Sequence, residues 1–277
     1  MKAAAPDALQ EMPLAKIIAV HSVKGGSGKT SLALNLAGVA ALARQKDTLL
    51  WDLDAQGSST FLCSDHPVVL GAKSVFERKI GPASLIAKTQ WAKLDVLTAD
   101  LSLRQVEHVL QDIQKPKRLK KIIKQLSPSY DVVILDCPPG LSEVNDQVFE
   151  AADILLVPVT PNPLGLRAFE QIQGYLAERG GRPLEIFPLI SMADKRKLLH
   201  RSFLEAHQDW PVLPMSSRIE NVAVRRAPVE AFAVRSREAE VLRDIWGDIT
   251  KRLAEIELRR KVEQHRGRPR IPKSSAS

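Results

Sequence analysis

Cysteine is nearly absent from this chain. The two present, Cys63 and Cys137, stand far apart and show no metal-ligand spacing. That excludes a disulfide framework and a cysteine-held zinc or iron–sulfur site within the chain, and both read as free thiols in a reducing cytoplasm. Long apolar runs are missing too. No stretch approaches the roughly 18–20 apolar residues of a membrane span. Met1–Lys16 mixes Pro6, Asp7, Glu11 and Pro13 with alanines, so it lacks the apolar core of a signal peptide. What the chain has is 277 residues, 44% of them hydrophobic, enough to bury the core of one large α/β domain or two small ones. Its net charge of +8 is unevenly spread. Arg259–Ser277 holds seven basic residues and one acid, or +6, which leaves +2 for the rest. The basic character thus belongs to the tail, a candidate nucleic-acid contact.

The chain is organised around Lys24-Gly25-Gly26-Ser27-Gly28-Lys29-Thr30. This stretch follows the apolar run Ile17–Val20 and opens a helix-patterned run from Thr30 to Arg44. Strand, glycine loop and helix form the context of a phosphate-binding loop. Glycines let the backbone turn its N–H groups into one concavity, and the helix N-terminus adds partial positive charge. Lys29 is placed to reach the β- and γ-phosphates of a nucleotide, and the Thr30 hydroxyl to ligate Mg²⁺. The first glycine of the ordinary pattern is replaced by Val23, and a second lysine, Lys24, stands at the loop entrance.

Two acidic turns follow apolar runs. Thr48–Trp51 leads into Asp52-Leu53-Asp54-Ala55-Gln56-Gly57-Ser58, and Asp131–Asp136 leads into Cys137-Pro138-Pro139-Gly140. Carboxylates past a strand's carboxyl end lie on the face where α/β sheets bind ligands. Asp52 and Asp136 are therefore candidate supports for Mg²⁺, and a plain acidic turn capped by Gly57 is the other reading of the first.

Further strands are expected at Leu94–Leu97, Asp153–Val157, Leu184–Met192 and Val212–Pro214. Helices are expected at Ser74–Lys79, Pro82–Lys88, Leu101–Asp112, Pro116–Leu126, Leu164–Arg179, Lys197–His207 and Ser236–Arg259. The alternation predicts an α/β fold: a doubly wound, mostly parallel sheet of the P-loop NTPase type. Residues 1–15 read as a short lead-in, too few for a separate DNA-reading domain. Residues 16–258 read as the nucleotide-binding domain, and 259–277 as a basic, disordered tail. The outer side of 116–126 carries Lys117, Arg118, Lys120, Lys121 and Lys124, which reads as a solvated face or a DNA contact.

Together the lysine-entered loop, the D-x-D-x-Q-G turn at Asp52–Gly57 and the D-x-P-P-G turn at Asp136–Gly140 resemble the deviant Walker A ATPases of the ParA/MinD family. The likeness runs over about residues 16–250. It implies an ATPase that uses ATP and Mg²⁺, with Lys24 through Ser31 (Gly25, Gly26, Ser27, Gly28, Lys29 and Thr30 among them) around the phosphates. It implies catalytic roles for Lys24, Lys29 and Asp54, the last positioning the attacking water. Thr30, Asp52 and Asp136 serve the metal, and Asp194 is a candidate contact for the base. In the family the second lysine crosses to the nucleotide of a partner subunit, so the resemblance implies an ATP-bound homodimer.

The same resemblance points to the partition branch rather than the membrane branch, because the tail lacks the bulky apolar face of an anchor. It places Arg196 and Arg218 where partition ATPases contact DNA, with Arg225 and Arg226 adding charge nearby. Met215-Ser216-Ser217 and Asn221-Val222-Ala223 depart from the family at the second of these sites. Arg266-Gly267-Arg268-Pro269-Arg270 resembles the core of an AT-hook, so Arg266 and Arg268 are either minor-groove contacts or part of a plain basic tail. The expected partners are non-specific DNA and a ParB-like protein that stimulates hydrolysis, with no membrane. The expected location is the bacterial cytoplasm, on the nucleoid. A positioning ATPase that carries a protein cargo or works on a membrane is the alternative.

Overall fold

The computed structural model describes residues 15–64, 71–113 and 117–266. Among them eight strands make one sheet: β1 Lys16–Val20, β2 Thr48–Asp52, β3 Ile86–Lys88, β4 Leu94–Leu97, β5 Val132–Asp136, β6 Ile154–Val159, β7 Glu185–Ala193 and β8 Val212–Pro214. Their order is β3-β4-β2-β5-β1-β6-β7-β8. Every neighbouring pair is parallel except β3 and β4. The expected doubly wound α/β sheet is what the chain forms.

Parallel strands covered on both faces are apolar at nearly every position. In β1, Ile17 and Ala19 join one helical layer, and Ile18 and Val20 join the other. The first layer contains Val106–Ile113, Arg118–Leu126, Glu143–Ala151, Pro163–Arg179 and Leu198–Ala206. The second holds Lys29–Gly38, Ser217–Arg225 and Arg237–Arg266. Each fully buried Leu, Ile or Val contributes about 1.5–3 kcal/mol against ordering entropy.

The helix Lys29–Gly38 is central to the second layer. Its Asn35 donates to the Ser31 carbonyl at 2.7 Å and accepts from the Val229 amide at 2.8 Å. Gly38 passes so close to Pro228 that an added Cβ would stand 2.4 Å from the Pro228 Cβ. A five-residue π-turn, Val39–Ala43, then completes the run expected as one helix to Arg44.

Several expectations change. Within Pro82–Lys88, read as a helix, only Pro82–Leu85 is helical, as a 3₁₀ turn, and Ile86–Lys88 is the antiparallel edge strand. The helix placed at Leu101–Asp112 divides into a 3₁₀ turn, Leu101–Gln105, and an α-helix, Val106–Ile113. Arg118 does not lie on the basic outer face. It is buried, and it donates to the carbonyls of Phe76 at 2.9 Å and Val75 at 2.8 Å. The C-terminal helix continues to Arg266, so the boundary placed at 259 falls inside it. Arg259 and Arg260 are tied to the body by pairs with Glu185 and Asp153, and Lys261 pairs with Glu257 within the same helix. The proposed lead-in, except for Ala15, and the tail beyond Arg266 lie outside the described residues.

Gly38→Ala should cost about 1–3 kcal/mol, because Pro228 and the backbone behind it must yield to the new methyl. A lower urea midpoint with an unchanged slope reads that loss; an unchanged midpoint would show that the contact relaxes freely.

Candidate active site

The carboxyl ends of β1, β2 and β5 meet at one place, because β5 lies between the other two. The phosphate loop leaves β1 there. Gly26 and Gly28 take left-handed φ values of 74° and 89°, which L side chains rarely adopt, and Gly28 caps the helix that follows. The amides at the start of Lys29–Gly38 are thus presented without a side-chain cap. Lys29 is buried, at 8% exposure, while Lys24 is exposed at the loop entrance. Ser27 is buried, and its hydroxyl has no protein partner.

Parallel register sets Asp52 beside Asp136. Both are almost fully buried, at 0% and 1% exposure. Asp52 accepts from the Thr60 amide at 2.8 Å, the Thr60 hydroxyl at 2.9 Å and the Asp54 amide at 3.1 Å. Asp136 accepts from Ser59 at 2.8 Å through Oδ2, and the Thr30 hydroxyl also bonds it. Its Oδ1 is buried without a partner. Burial, then the charge of Asp136, pushes Asp52 up to about 7. Burial likewise pushes Asp136 up to about 6, against the hydrogen bonds of Ser59 and Thr30 and the charge of Lys29. Two such carboxylates next to an unpartnered oxygen and the Thr30 hydroxyl suit a hard cation that prefers oxygen ligands. Asp54 lies further out, half-buried, and its Oδ1 accepts from the Gln56 amide at 2.9 Å.

Ser59 and Thr60 were missed in the sequence. They begin the helix Ser58–Cys63 right after the acidic turn, and the hydroxyl run Ser58-Ser59-Thr60 was the available signal. His21 was missed as well. It is wholly buried at the root of the loop, edge-on to Phe149 at 5.3 Å. Burial, then the charge of Lys29, lowers it to about 3, so it stays neutral. Cys63 and Cys137 are buried free thiols. Burial first, then nearby carboxylate charge, keeps both protonated, with Cys63 pushed up to about 12.

A cavity of about 330 Å³ opens from the loop between β7, β8 and the helix Ser217–Arg225. Gly28, Thr30 and Ser31 form its phosphate side; Met192, Leu213, Met215 and Ile219 give it apolar walls. Its size and its position against the loop fit a flat base and its ribose. Met192 sits at φ 60°, beside the register shift between β7 and β8, and that strain is held at the cavity's rim. Asp194, expected at the base, does not line this cavity. Its carboxylate is held well below the usual range by Arg196, which grips it with two contacts of 2.9 Å.

Comparison with known proteins agrees with this geometry. A family profile described as an AAA domain matches residues 15–179. A ParA family protein of Chlamydia trachomatis is 30% identical over 244 residues, 81% of this chain and 93% of its own. The chain belongs to the ParA/MinD family of P-loop ATPases. The sporulation initiation inhibitor protein Soj of Bacillus subtilis is 27% identical over 85% of this chain and 98% of its own. The Mg-ADP complex of the septum site-determining protein MinD from Pyrococcus horikoshii superposes with a TM-score of 0.70 at 20% identity, covering 88% of this chain and 99% of that one. That neighbour holds Mg-ADP, and a cobyrinic acid a,c-diamide synthase of Mycobacterium smegmatis, 25% identical with a TM-score of 0.66 over 76% of this chain and 91% of that one, holds ADP and magnesium.

Of the arginines expected at DNA, Arg196 and Arg218, carried over from the ParA/MinD resemblance, and the nearby Arg225 and Arg226 lie on segments that follow β7 and β8. Arg196 is exposed but paired with Asp194, and Arg218 pairs with Glu238 at 3.3 Å. Arg225 lies over the Phe232 ring at 5.1 Å. Arg226 donates to the carbonyls of Phe61 and Ser64, at 2.8 Å each. Arg266 ends the described C-terminal helix, and Arg268 lies outside the described residues.

The raised carboxylates predict a pH signature. Each holds its proton more tightly folded than unfolded, where a carboxylate titrates near about 3.9. Without metal, stability should therefore rise as pH falls through about 7 and 6 towards that value. Mg²⁺ with nucleotide must displace those protons, so its stabilisation should be larger at alkaline than at mildly acidic pH. Melting curves across that range, with and without Mg-ADP, read both trends. An Asp52→Asn variant should flatten the metal-free one, and a flat wild-type profile would contradict the assignment.

Proposed function

We propose that this chain is a partition-type ATPase. Two copies bind ATP face to face, hold DNA without sequence preference as that dimer, and separate after hydrolysis stimulated by a ParB-like or cargo-adaptor protein. The observation that carries this reading is the two-lysine loop set against the buried Asp52–Asp136 pair. Lys29 is committed to the site within its own subunit, which leaves the exposed Lys24 as a second cation facing outward. Two bound triphosphates brought to one two-fold interface carry a large negative charge, and a lysine from each side offsets it. Asp54 stands in the outer part of the turn and positions the attacking water. The Lys24 and Lys29 ammoniums, with the loop amides, hold the charge that develops on the transferred phosphoryl group. Thr30, Asp52 and Asp136 would hold Mg²⁺, which would supply positive charge against the phosphate oxygens. A relative named chromosome partitioning protein ParA, from Myxococcus xanthus and 28% identical over 89% of this chain, supports the partition reading.

DNA contact by Arg196, Arg218, Arg225, Arg226, Arg266 and Arg268 belongs to the same proposal. Phosphate contacts of this kind give affinity without sequence preference and weaken with salt. Arg196, with its side chain 89% exposed, is the member most open to a phosphate.

Light scattering of an Asp54→Ala variant with ATP should report a dimer, and adding Lys24→Ala should return it to monomer; a persistent dimer would remove Lys24 from the interface.

DNA binding by the full chain should rise at least tenfold on adding ATP in place of ADP. Arg196→Ala should reduce that increment, and Lys29→Ala should abolish it. Equal binding in ATP and ADP would overturn the partition reading. ATP-dependent binding to anionic vesicles without DNA binding would instead establish the membrane-positioning alternative.

A further inference from the structure

The helix Arg118–Leu126 buries Leu119, Ile122, Ile123 and Leu126 against the sheet. Lys117, Lys120, Lys121 and Lys124 fall at helical spacing on its opposite side. Lys117 shares Glu150 with Arg179, at 3.7 and 4.0 Å. The ammoniums of Lys120, Lys121 and Lys124 make no ion pair or hydrogen bond among the described residues. Lys120 also meets cations from another element. Its charged form is disfavoured by burial first and then by Arg182, with Lys117 adding to it, while Glu150 and Asp153 partly compensate.

Arg182 is crowded by cations as well, although one terminal nitrogen donates to the Ala152 carbonyl and Asp153 and Glu150 favour its charge. Burial, then Arg260, opposes its charge, and its Nε is buried with no acceptor. The nearby Asp153 is already taken by the Ile17 amide at 3.0 Å and by Arg260 at 2.7 Å. Cations from a helix, a loop and the C-terminal helix are thus held together with unused donors, an arrangement that an approaching polyanion would relieve.

This patch lies at the amino ends of the strands. Asp153 immediately precedes β6, and Arg182 comes shortly before β7. The nine residues of β7 separate that end from the loop of Arg196 by about 30 Å. The patch is therefore remote from the ATP site and from a face-to-face interface formed there.

We propose that Lys117, Lys120, Lys121 and Lys124, backed by Arg182, form a second DNA-phosphate surface that works without nucleotide. It rests on the DNA-binding reading above but not on its ATP dependence. A row from Lys117 to Lys124 spans about 10 Å, long enough to meet more than one phosphate of a duplex. Near Arg196 the Asp194 carboxylate repels a phosphate that the arginine attracts; on the outer side of this helix Lys121 and Lys124 have no carboxylate pair among the described residues, and Lys120 feels Glu150 and Asp153 without an ion pair to either.

The test is duplex binding by the full chain in ADP, followed by fluorescence anisotropy between about 50 and 200 mM salt. The triple variant Lys120→Gln, Lys121→Gln, Lys124→Gln should lose tenfold or more in affinity, and its log–log salt slope should fall by about 2–3. The corresponding triple Lys→Arg variant should bind like wild type, which separates lost charge from lost folding; an unchanged melting temperature checks the same point. Arg196→Ala should leave binding in ADP unaltered while reducing the ATP-dependent increment. The proposal is overturned if the glutamine variant keeps wild-type affinity and slope in ADP, which would assign that binding elsewhere. It is equally overturned if wild type binds no DNA in ADP, or if the variant loses affinity for vesicles of anionic phospholipid and not for DNA. A failure of the ATP increment alone would strike the partition reading and leave this surface standing.

Discussion

Two carboxylates buried side by side are the constraint around which this molecule is built. Asp52 and Asp136 close neighbouring parallel strands, so register alone brings them together. Like charges out of water repel strongly, and burial disfavours each ion separately. The hydroxyls of Thr30, Ser59 and Thr60 and the charge of Lys29 relieve part of that cost. The remainder is a cost that a bound divalent cation would offset. The protein keeps an electrostatic deficit in its core, of the kind that a divalent cation with a polyphosphate would fill.

The surrounding structure protects that deficit. Both faces of the sheet are sealed by helices, which keeps the local dielectric low and the interaction with a bound cation strong. His21 stays neutral at the root of the loop, so no further cation is buried beside Lys29. The cavity beside the loop is apolar and adjoins the first turn of the helix Lys29–Gly38. One ligand can therefore meet a polar and an apolar requirement a few ångströms apart.

Much of this was legible in the sequence because it depends on short-range pattern. Continuous apolar runs ending in Asp52 and Asp136 announced central parallel strands, and the glycine loop announced their ligand. What was not legible depends on distant parts of the chain. Arg118 looks like one more solvated base until Val75 and Phe76 offer it their carbonyls. Ile86–Lys88 is a strand because β4 presents an open edge, although nothing local favours it over the preceding turn. The cavity walls come from Met192, Met215 and Ile219, ordinary apolar residues that only the fold brings together. Asp194 is a further case: it lies outside the lining of this cavity and is gripped by Arg196, two residues away, a pairing that the sequence does not announce.

The two outermost strands have a consequence of their own. β3 and β8 are each three residues long; β3 runs against its neighbour and ends in exposed Lys88, and β8 ends in Pro214. Short edges that end in a lysine or a proline give another sheet almost no backbone to pair with. Crowded copies of this chain meet through side chains rather than strand to strand, which guards a largely β-cored protein against aggregation wherever it gathers at high local density.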